Sequence, residues 1–336
     1  MGEAADMYQT FLAQHQLPDS YASSARSYFE PVAQHLLELQ QAKQAPYFVA
    51  LNGCQGSGKS TLADFLVHWF EAHGKAAIAI SLDDFYLTQA ERQALAEQVH
   101  PLFKTRGVPG THDTGLMVDV LSSLAVGKAT DIPRFNKAID DRVEPSEWTS
   151  ISGPVDIVIL EGWCWGARHQ SEDDLLTSVN DLETAQDADG IWRGHVNQTL
   201  TSDYEPLYAF MDFWLMLKAP SFDCVYRWRL EQEEKLRARL SVHSDIHSDT
   251  DSASLTASSG LMANQSGLMT TQSGLMTSEQ IAQFIQFYQR ITERLLITLP
   301  EHADVVWHLD EDRRICLCTT RASFNHINSS SYREGE

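Results

Sequence analysis

Short apolar runs alternate along the chain with longer segments in which apolar residues recur every three or four positions. The runs at 46–52 (PYFVALN) and 155–162 (VDIVILEG) are apolar at nearly every position, which is typical of strands buried on both faces. Further strands are predicted at KAAIAISL, MDFWLML and ADVVWHL. Intervening segments such as KSTLADFLVHWFEAHG and TGLMVDVLSSLAVG predict amphipathic helices that end at glycine. The pattern predicts an α/β fold, with a parallel sheet of about five strands flanked by helices on both faces.

A glycine-rich stretch follows the first predicted strand. Residues 53–60, GCQGSGKS, match G-x-x-x-x-G-K-[ST] between a strand and a helix, the context that a P-loop requires. The glycines allow several N–H groups to face one anion, Lys59 would reach the β and γ phosphates, and the Ser60 hydroxyl would ligate Mg²⁺. We therefore predict a P-loop NTPase fold. Its predicted nucleotide-binding residues are Gly53, Cys54, Gln55, Gly56, Ser57, Gly58, Lys59, Ser60 and Thr61.

Acidic residues end two other predicted strands. Asp83 and Asp84 follow the second strand, and Glu161 ends the third. Because open α/β sheets bind ligands at the carboxyl ends of their strands, these acids are candidates for a catalytic base or for Mg²⁺ ligands. Helix caps are the alternative interpretation. The run Asn136–Asp140 has one residue too many for the N-K-x-D motif of a GTPase, and it precedes the third strand.

The chain divides into four predicted parts. Residues 1–45 form an N-terminal helical extension, residues 46–240 the nucleotide-binding core, and residues 277–336 a C-terminal helix and the last strand. A capping box at Thr277 or Ser278 is predicted to open that C-terminal helix.

Residues 241–276 are of low complexity and contain SGLM three times, in steps of seven residues. A coiled coil needs two apolar positions per heptad and no glycine, so a mobile loop is predicted instead. The polar cluster within it could bind a metal, but a solvated loop is favoured; the cluster comprises His243, Asp245, His247 and Asp249.

Charge and composition narrow the function. The net charge of −21 over 336 residues argues against a nucleic-acid binder. A nucleotide site in such a protein must be locally positive within a negative surface. No apolar run reaches the roughly 18 residues that span a bilayer, and the first residues carry neither a leader pattern nor a myristoylation signal. Five scattered cysteines lack the pairing of a zinc site. We expect a cytoplasmic protein with reduced thiols and neither nucleic-acid nor membrane partners.

Motifs along the chain resemble a known family. GCQGSGKS, SLDDFYL, RGVPGTHD, IPRFNKAIDDR and VILEGWCWG occur here. The set is similar to that of D-glycerate 3-kinase and its kinase-like relatives, within the wider group of pantothenate kinase, uridine kinase and phosphoribulokinase. The resemblance covers residues 46–240 and 277–310, and RGVPGTHD with ILEGW is its most specific part. Residues 169–205 and 241–276 depart from the pattern.

The resemblance implies roles for individual residues. ATP would be the co-substrate with Mg²⁺, Asp83 the catalytic base, and Asp84 the weaker candidate for that base. Arginines after the fourth strand would form a lid over the phosphates, with Arg229 and Arg237 favoured over Arg227 and Arg239. Surface helix pairs with nearby glutamates are the alternative. Ser60, Glu161 and Asp83 would hold the metal.

The resemblance implies a small hydroxy acid as the acceptor, and the arginines suit its carboxylate, which a guanidinium group binds in a bidentate way. Pantothenate also carries a carboxylate, so these cations do not exclude it. The candidate acceptor-binding residues are Asp84, Tyr86, Arg106, His112, Asp113, Arg134 and Lys137. His112 and Asp113 could instead cap a helix near Thr114. The aromatic side chains of Phe135, Trp163 and Trp165 could form either core or pocket wall.

Three hypotheses follow. The first is ATP-dependent phosphorylation of D-glycerate to 3-phosphoglycerate. The second keeps the chemistry with pantothenate, a nucleoside or another sugar acid as acceptor. The third is an ATP-binding regulatory or assembly protein with little kinase activity.

Overall fold

The computed structural model describes residues 2–246 and 276–321, with side chains described from residue 7 to residue 234 and again from residue 276. Its helices are α1 (Gly2–His15), α2 (Asp19–Ser24), α3 (Glu30–Lys43), α4 (Lys59–Ala72), α5 (Gln89–Gln98), α6 (Thr114–Ala125), α7 (Glu172–Leu175), α8 (Asp181–Gln186), α9 (Ile191–Thr199), α10 (Glu205–Tyr208), α11 (Asp223–Ile246) and α12 (Ser278–Thr298). Its strands are β1 (Tyr47–Gly53), β2 (Ala77–Ser81), β3 (Thr130–Ile132), β4 (Phe135–Asn136), β5 (Asp141–Arg142), β6 (Thr149–Ile151), β7 (Ile157–Gly162), β8 (Phe213–Lys218), β9 (Val305–Leu309) and β10 (Ile315–Thr320).

A six-stranded sheet in the order β10-β9-β8-β1-β7-β2 forms the centre of the fold. The five predicted strands lie in it side by side and parallel, and β10 runs antiparallel to β9 at one edge. β1 and β7 are buried at every position, as their uniformly apolar sequences require. β10 was not predicted from the sequence, because ICLCTT is partly exposed and lacks the continuous apolar character of the inner strands.

Helices cover both faces of the sheet. Successive residues of β1 point to opposite faces, so Phe48 and Ala50 belong to one apolar core and Val49 and Leu51 to the other. The N-terminal helices pack on the second core, where Phe11 contacts the Phe65 ring of α4 edge-on at a centroid distance of 5.5 Å. The predicted N-terminal extension is therefore an integral layer of the fold.

Residues 169–205 fold into α7, α8, α9 and the π-helical turn Leu200–Tyr204. This segment is fastened to α12 by a buried ion pair, in which Arg290 Nη2 lies 2.6 Å from Glu183 Oε2. A second buried pair joins Arg193 to Asp187 within the segment. The elaborated region therefore braces the helix that follows the low-complexity segment.

The structure shows the capping box predicted at Thr277 and continues α11 into the low-complexity segment. Thr277 opens α12 with a capping box, exchanging hydrogen bonds with Gln280 as the sequence predicts. α11 continues to Ile246, so the first residues of the predicted 241–276 loop are helical, and Met276 at its end is buried. Most of that loop, with two complete SGLM repeats and the side chains of the His and Asp cluster, lies outside the described residues. All five cysteines lie among the described residues and none is in a disulfide. No helix among those residues has the length and apolarity to cross a bilayer.

Candidate active site

The P-loop joins β1 to α4 at the carboxyl edge of the sheet. Gly56 and Gly58 have φ of 78° and 93°, which favours glycine. A Cβ on Gly56 would also lie 2.7 Å from the Cβ of Trp228, so α11 packs directly against this turn. The loop thus has the backbone of an anion site, with the N-terminus of α4 behind it.

Three strand tips meet around one cavity of about 270 Å³. Leu51, Glu161 and Ser81 are in register across β1, β7 and β2, which brings the P-loop and both acidic tips together. Residues of the P-loop, the strand tips, the β4–β5 hairpin and α11 line the cavity. The predicted site residues among them are Gln55, Gly56, Gly58, Lys59, Ser60, Thr61, Asp83, Asp84, Arg134, Lys137, Glu161 and Arg229.

Glu161 links the two chemical groups of the P-loop. Its Oε1 accepts a hydrogen bond from Ser60 Oγ at 3.1 Å, and its Oε2 lies 3.6 Å from Lys59 Nζ. Burial acts to lower the pKa of Lys59, but Glu161 and Asp83 outweigh it and raise that pKa above its ordinary value. Lys59 therefore stays protonated, as a phosphate-binding cation must.

The same corner has donors that suit Mg²⁺. Glu161 Oε2 is buried with no hydrogen-bond partner among the described residues. The other oxygen of the same carboxylate, Oε1, accepts the hydrogen bond of the Ser60 hydroxyl. Mg²⁺ prefers hard oxygen donors and commonly uses one or two carboxylates together with substrate phosphates. Among the described residues, no group of three or more His, Cys, Asp or Glu side chains is placed to hold a metal ion.

Asp83 lies between the P-loop and the β4–β5 hairpin. Its Oδ1 accepts from Tyr86 Oη at 2.9 Å, and its Oδ2 accepts from Lys137 Nζ at 2.8 Å. Burial would raise the pKa of Asp83, but Lys137 and Lys59 hold it well below its ordinary value. Asp83 is therefore an anion throughout the physiological range.

Asp84 has a different environment. Its Oδ2 accepts from Arg134 Nη1 at 2.8 Å and its Oδ1 from the Phe135 backbone N–H at 3.2 Å. Burial nevertheless raises the pKa of Asp84 above its ordinary value. Neighbouring acids whose pKa values are displaced in opposite directions have separate roles. Here Asp84 anchors the β4–β5 hairpin, and Asp83 faces the cavity between two lysines.

The structure describes the side chains of only some of the arginines predicted to form a lid. Arg229 lines the cavity and is 1% exposed, and its Nη1 lies 3.0 Å from Glu233 Oε2. Glu233 also accepts from the backbone N–H of Met276 at 2.7 Å, which ties α11 to the start of α12. Arg227 points away to an exposed ion pair with Glu311. The side chains of Arg237 and Arg239 lie outside the described residues.

Arg106 and Tyr86 lie just behind the cavity. Arg106 pairs with Asp140, and its guanidinium lies 5.3 Å from the centroid of the Phe135 ring. Tyr86 is buried beneath Asp83. Both residues support the walls of the cavity from behind. Trp163 and Trp165 are buried core residues, at 3% and 1% exposure.

His112 and Asp113 line a separate cavity of about 430 Å³. Asp113 caps α6 by accepting from the Leu116 N–H at 2.9 Å, and it also pairs with Arg142. His112 stacks on Tyr86 and hydrogen-bonds Tyr204 through Nδ1. Burial lowers the pKa of His112 to about 4, so this imidazole is neutral. The structure thus places these two candidates beside the phosphate cavity rather than in it.

Among the residues at the site that were not predicted, two are charged: Asp64 and Arg313. Asp64 lines the cavity one helical turn after Ser60, a position that the i, i+4 spacing on α4 could have revealed. Arg313, in the turn between β9 and β10, donates from Nε to the Gly56 carbonyl at 2.8 Å and pairs with Glu231. No sequence signal connects positions that far apart.

The comparisons with known proteins agree with this geometry. The model of the phosphoribulokinase/uridine kinase family matches residues 48–184. An uncharacterized kinase of Schizosaccharomyces pombe is 34% identical over 230 residues, 65% of this chain and 81% of its own length. The chloroplastic D-glycerate 3-kinase of Arabidopsis thaliana is 32% identical over 203 residues, 57% of this chain and 42% of that protein. The solved D-glycerate 3-kinase of Cryptococcus neoformans superposes with a TM-score of 0.65 at 23% identity, covering 87% of this chain and 98% of that one.

A P-loop, two acidic strand tips and a shared cavity define an ATP-dependent small-molecule kinase. The chain belongs to the phosphoribulokinase/uridine kinase family, and it is a phosphotransferase with an alcohol group as acceptor.

Proposed function

We propose that this kinase transfers the γ-phosphoryl group of ATP to a small hydroxy acid, with D-glycerate as the leading acceptor and 3-phosphoglycerate as the product. The observation that supports this most is the position of Asp83, between Lys59 of the P-loop and Lys137 of the β4–β5 hairpin. An acceptor hydroxyl at Asp83 would lie between the phosphate site and a cationic wall. The relatives named D-glycerate 3-kinase agree with that choice.

The cationic wall favours an anionic acceptor. Arg134 and Lys137 both line the cavity on the hairpin side, opposite the P-loop. A guanidinium and an ammonium suit a carboxylate, whereas a neutral nucleoside would be better held by stacking rings and amide groups. Pantothenate also carries a carboxylate, so the cationic wall does not exclude it, and the acceptor screen below compares the two.

Each group of the cavity has a role in the transfer. Lys59 and the P-loop amides would hold the phosphates, and Arg229 would offset charge on the transferred group. Ser60 and Glu161 would hold Mg²⁺, which when bound neutralises charge on the β and γ oxygens. Asp83 would orient the acceptor hydroxyl and accept its proton, as an oxygen–phosphorus bond forms to the acceptor and the bond to ADP breaks. We propose Arg237 as a further lid residue on its position in α11, and Arg106, Tyr86, His112 and Asp113 as supports of the acceptor side.

The proposal is tested by an acceptor screen that follows ADP release with D-glycerate, pantothenate, uridine and no acceptor. We expect Mg²⁺-dependent ADP release that D-glycerate stimulates most, and ³¹P NMR should identify the product as the 3-phosphate. Stimulation by uridine or pantothenate instead would replace the acceptor, and ATP binding with no stimulated turnover would favour a regulatory role. A cytoplasmic location and the lack of nucleic-acid or membrane partners remain predictions from the sequence.

A further inference from the structure

Both oxygens of the Asp83 carboxylate are engaged in this structure. Tyr86 donates to Oδ1 and Lys137 to Oδ2, at 2.9 and 2.8 Å. A base that must receive a hydroxyl proton needs one of these oxygens to face its substrate. Each oxygen could accept a second hydrogen bond, but Lys137 lines the cavity together with Asp83, whereas Tyr86 does not, so the ammonium lies on the side from which an acceptor would approach Oδ2.

Lys137 differs from its neighbours in how firmly it is held. The base of the β4–β5 hairpin is fixed, because Arg134 and the Phe135 N–H both bind Asp84 and Arg142 binds Asp113. Lys137 lies in the connection between the two strands. It reaches back to Asp83 on a four-carbon stem that can swing, with an ammonium that donates in any direction.

The charges of the cavity are balanced before substrate arrives. The charged residues that line it are four cations and four acids: Lys59, Arg134, Lys137, Arg229, Asp64, Asp83, Asp84 and Glu161. Each of these four cations already has an acidic partner, so a cation that binds an entering carboxylate must share or leave that partner. Lys137 can leave Asp83 by a rotation of its own side chain, whereas Arg134 is braced by a second hydrogen bond to Thr149.

Other ionisable groups near Asp83 do not substitute for Lys137. Lys59 of α4 is engaged by Glu161, and His112 is neutral because burial lowers its pKa to about 4. The buried Cys164 and Tyr288, from the β7 end and α12, have pKa values raised by burial and are uncharged. Tyr86 donates to Asp83 without adding charge.

We propose that Lys137 guards the catalytic base: it occupies Oδ2 of Asp83 until the carboxylate of the acceptor draws the ammonium away, and Oδ2 then accepts the hydrogen bond of the acceptor hydroxyl. The inference rests on the proposed function and adds a selection step to it. A neutral acceptor of similar size leaves Lys137 on Asp83 and is phosphorylated slowly. Lys137 thus couples recognition of the carboxylate to readiness of the base.

The experiment compares D-glycerate with its neutral methyl ester in the wild-type protein, Lys137→Met and Lys137→Arg. We expect Lys137→Met to lose roughly tenfold to a hundredfold in kcat/KM for D-glycerate, the range of a hydrogen bond to a charged group. With the ester we expect a gain on the order of tenfold, because the guarding contact no longer has to be broken. Lys137→Arg should keep the preference for D-glycerate.

A split between kcat and KM separates this role from a structural one. With the ester, the gain in Lys137→Met should appear in kcat, because the ester lacks the carboxylate that the ammonium would bind. Lys128→Met, at an exposed lysine outside the cavity, is the control for both acceptors, and thermal unfolding checks the fold of each variant.

Each other outcome overturns the inference. An unchanged rate with the ester in Lys137→Met would mean that Lys137 only binds the carboxylate, and an equal fall with both acceptors would mean that it only supports the hairpin. If wild-type protein does not phosphorylate D-glycerate but phosphorylates another acceptor, the proposed acceptor and this inference are both overturned. If wild-type protein phosphorylates D-glycerate but Lys137→Met shows no gain with the ester, the role of Lys137 is overturned and the proposed function stands.

Discussion

Arg313 donates a hydrogen bond from its Nε to the main-chain carbonyl oxygen of Gly56, at a distance of 2.8 Å. The same guanidinium lies over the Trp228 ring at 5.4 Å and pairs with Glu231 on α11. The turn between β9 and β10 therefore clamps the P-loop and the helix that carries Arg229. The opposite end of the Gly56–Ser57 peptide is also fixed, because the Ser57 N–H donates to Cys54.

Removing this clamp should loosen nucleotide binding. For Arg313→Ala we expect the Kd for ATP to rise roughly tenfold, the low end of the range for a hydrogen bond from a charged group because the side chain is partly exposed. Isothermal titration calorimetry measures this directly. Arg314→Ala is the matched control, since the neighbouring Arg314 side chain is 79% exposed and only pairs with Asp312. Equal ATP affinity in both variants would show that the clamp does not position the P-loop.

The packing of α11 on the P-loop makes a second prediction. Gly56→Ala puts a Cβ 2.7 Å from that of Trp228, on a backbone with φ of 78°, so the turn must shift. We expect ATP affinity to fall at least tenfold, since strain of about 1–3 kcal/mol falls on the anion site. Gly153→Ala, where a Cβ meets nothing within 4 Å, should leave both affinity and stability unchanged. Tight ATP binding by Gly56→Ala would contradict this.

The buried pair of Glu183 and Arg290 makes a prediction about stability. Arg290→Met leaves the Glu183 carboxylate buried without its partner, so we expect a loss of about 3–5 kcal/mol in the free energy of unfolding. The double variant with Glu183→Gln should recover much of this loss. Arg168→Met, which breaks an exposed pair with Glu205, should cost about 0–1 kcal/mol. Urea denaturation measures the free energy of unfolding of all three variants. A loss in Arg290→Met as small as that in Arg168→Met would show that the buried pair does not stabilise the fold.

Asp64 gives stability a pH dependence. Burial and Glu161 raise its pKa to about 6 from the ordinary 3.8, with Arg134 offsetting part of the rise. The folded state then binds the proton more tightly than the unfolded state, so this carboxyl destabilises the fold above pH 6 and ceases to do so below about pH 4. Asp64→Asn should therefore be more stable than wild type at pH 7.5, by a small margin because the side chain is 45% exposed.

The margin should shrink as the pH falls through 6 and vanish near 4. Urea denaturation across that range checks it, with Asp119→Asn on the exposed side of α6 as the matched control. A difference that stayed constant from pH 4 to 8 would contradict the assignment to Asp64.

The strand tips show what local sequence could establish. Lys59, Asp83 and Glu161 were all predicted at carboxyl ends of apolar strands, and parallel pairing brings such ends to one edge. Their common cavity follows from that single rule. By contrast, β10 is a half-exposed edge strand whose alternation of cysteine, leucine and threonine is too weak to stand out.

Contacts between distant segments account for what sequence could not show. Arg313 and Gly56 are 257 positions apart, and Glu183 and Arg290 are 107 apart, so only the folded chain pairs them. Lys137 and Asp83 were both predicted as site residues, yet their direct hydrogen bond depends on how the β4–β5 hairpin folds back. The use of Asp113 as a helix cap was an open alternative in the sequence, and the structure shows that cap.

The most direct test of the site is the variant Asp83→Asn, with MgATP affinity and D-glycerate turnover measured on the same preparation. We expect ATP affinity within about threefold of wild type, because the P-loop is intact, and kcat lower by roughly 10²–10⁴, the contribution of a positioned acid or base. Asp84→Asn should lower kcat less than Asp83→Asn, because the Asp84 carboxylate binds Arg134 and anchors the β4–β5 hairpin. A kcat for Asp83→Asn close to that of wild type would contradict phosphoryl transfer at this carboxylate.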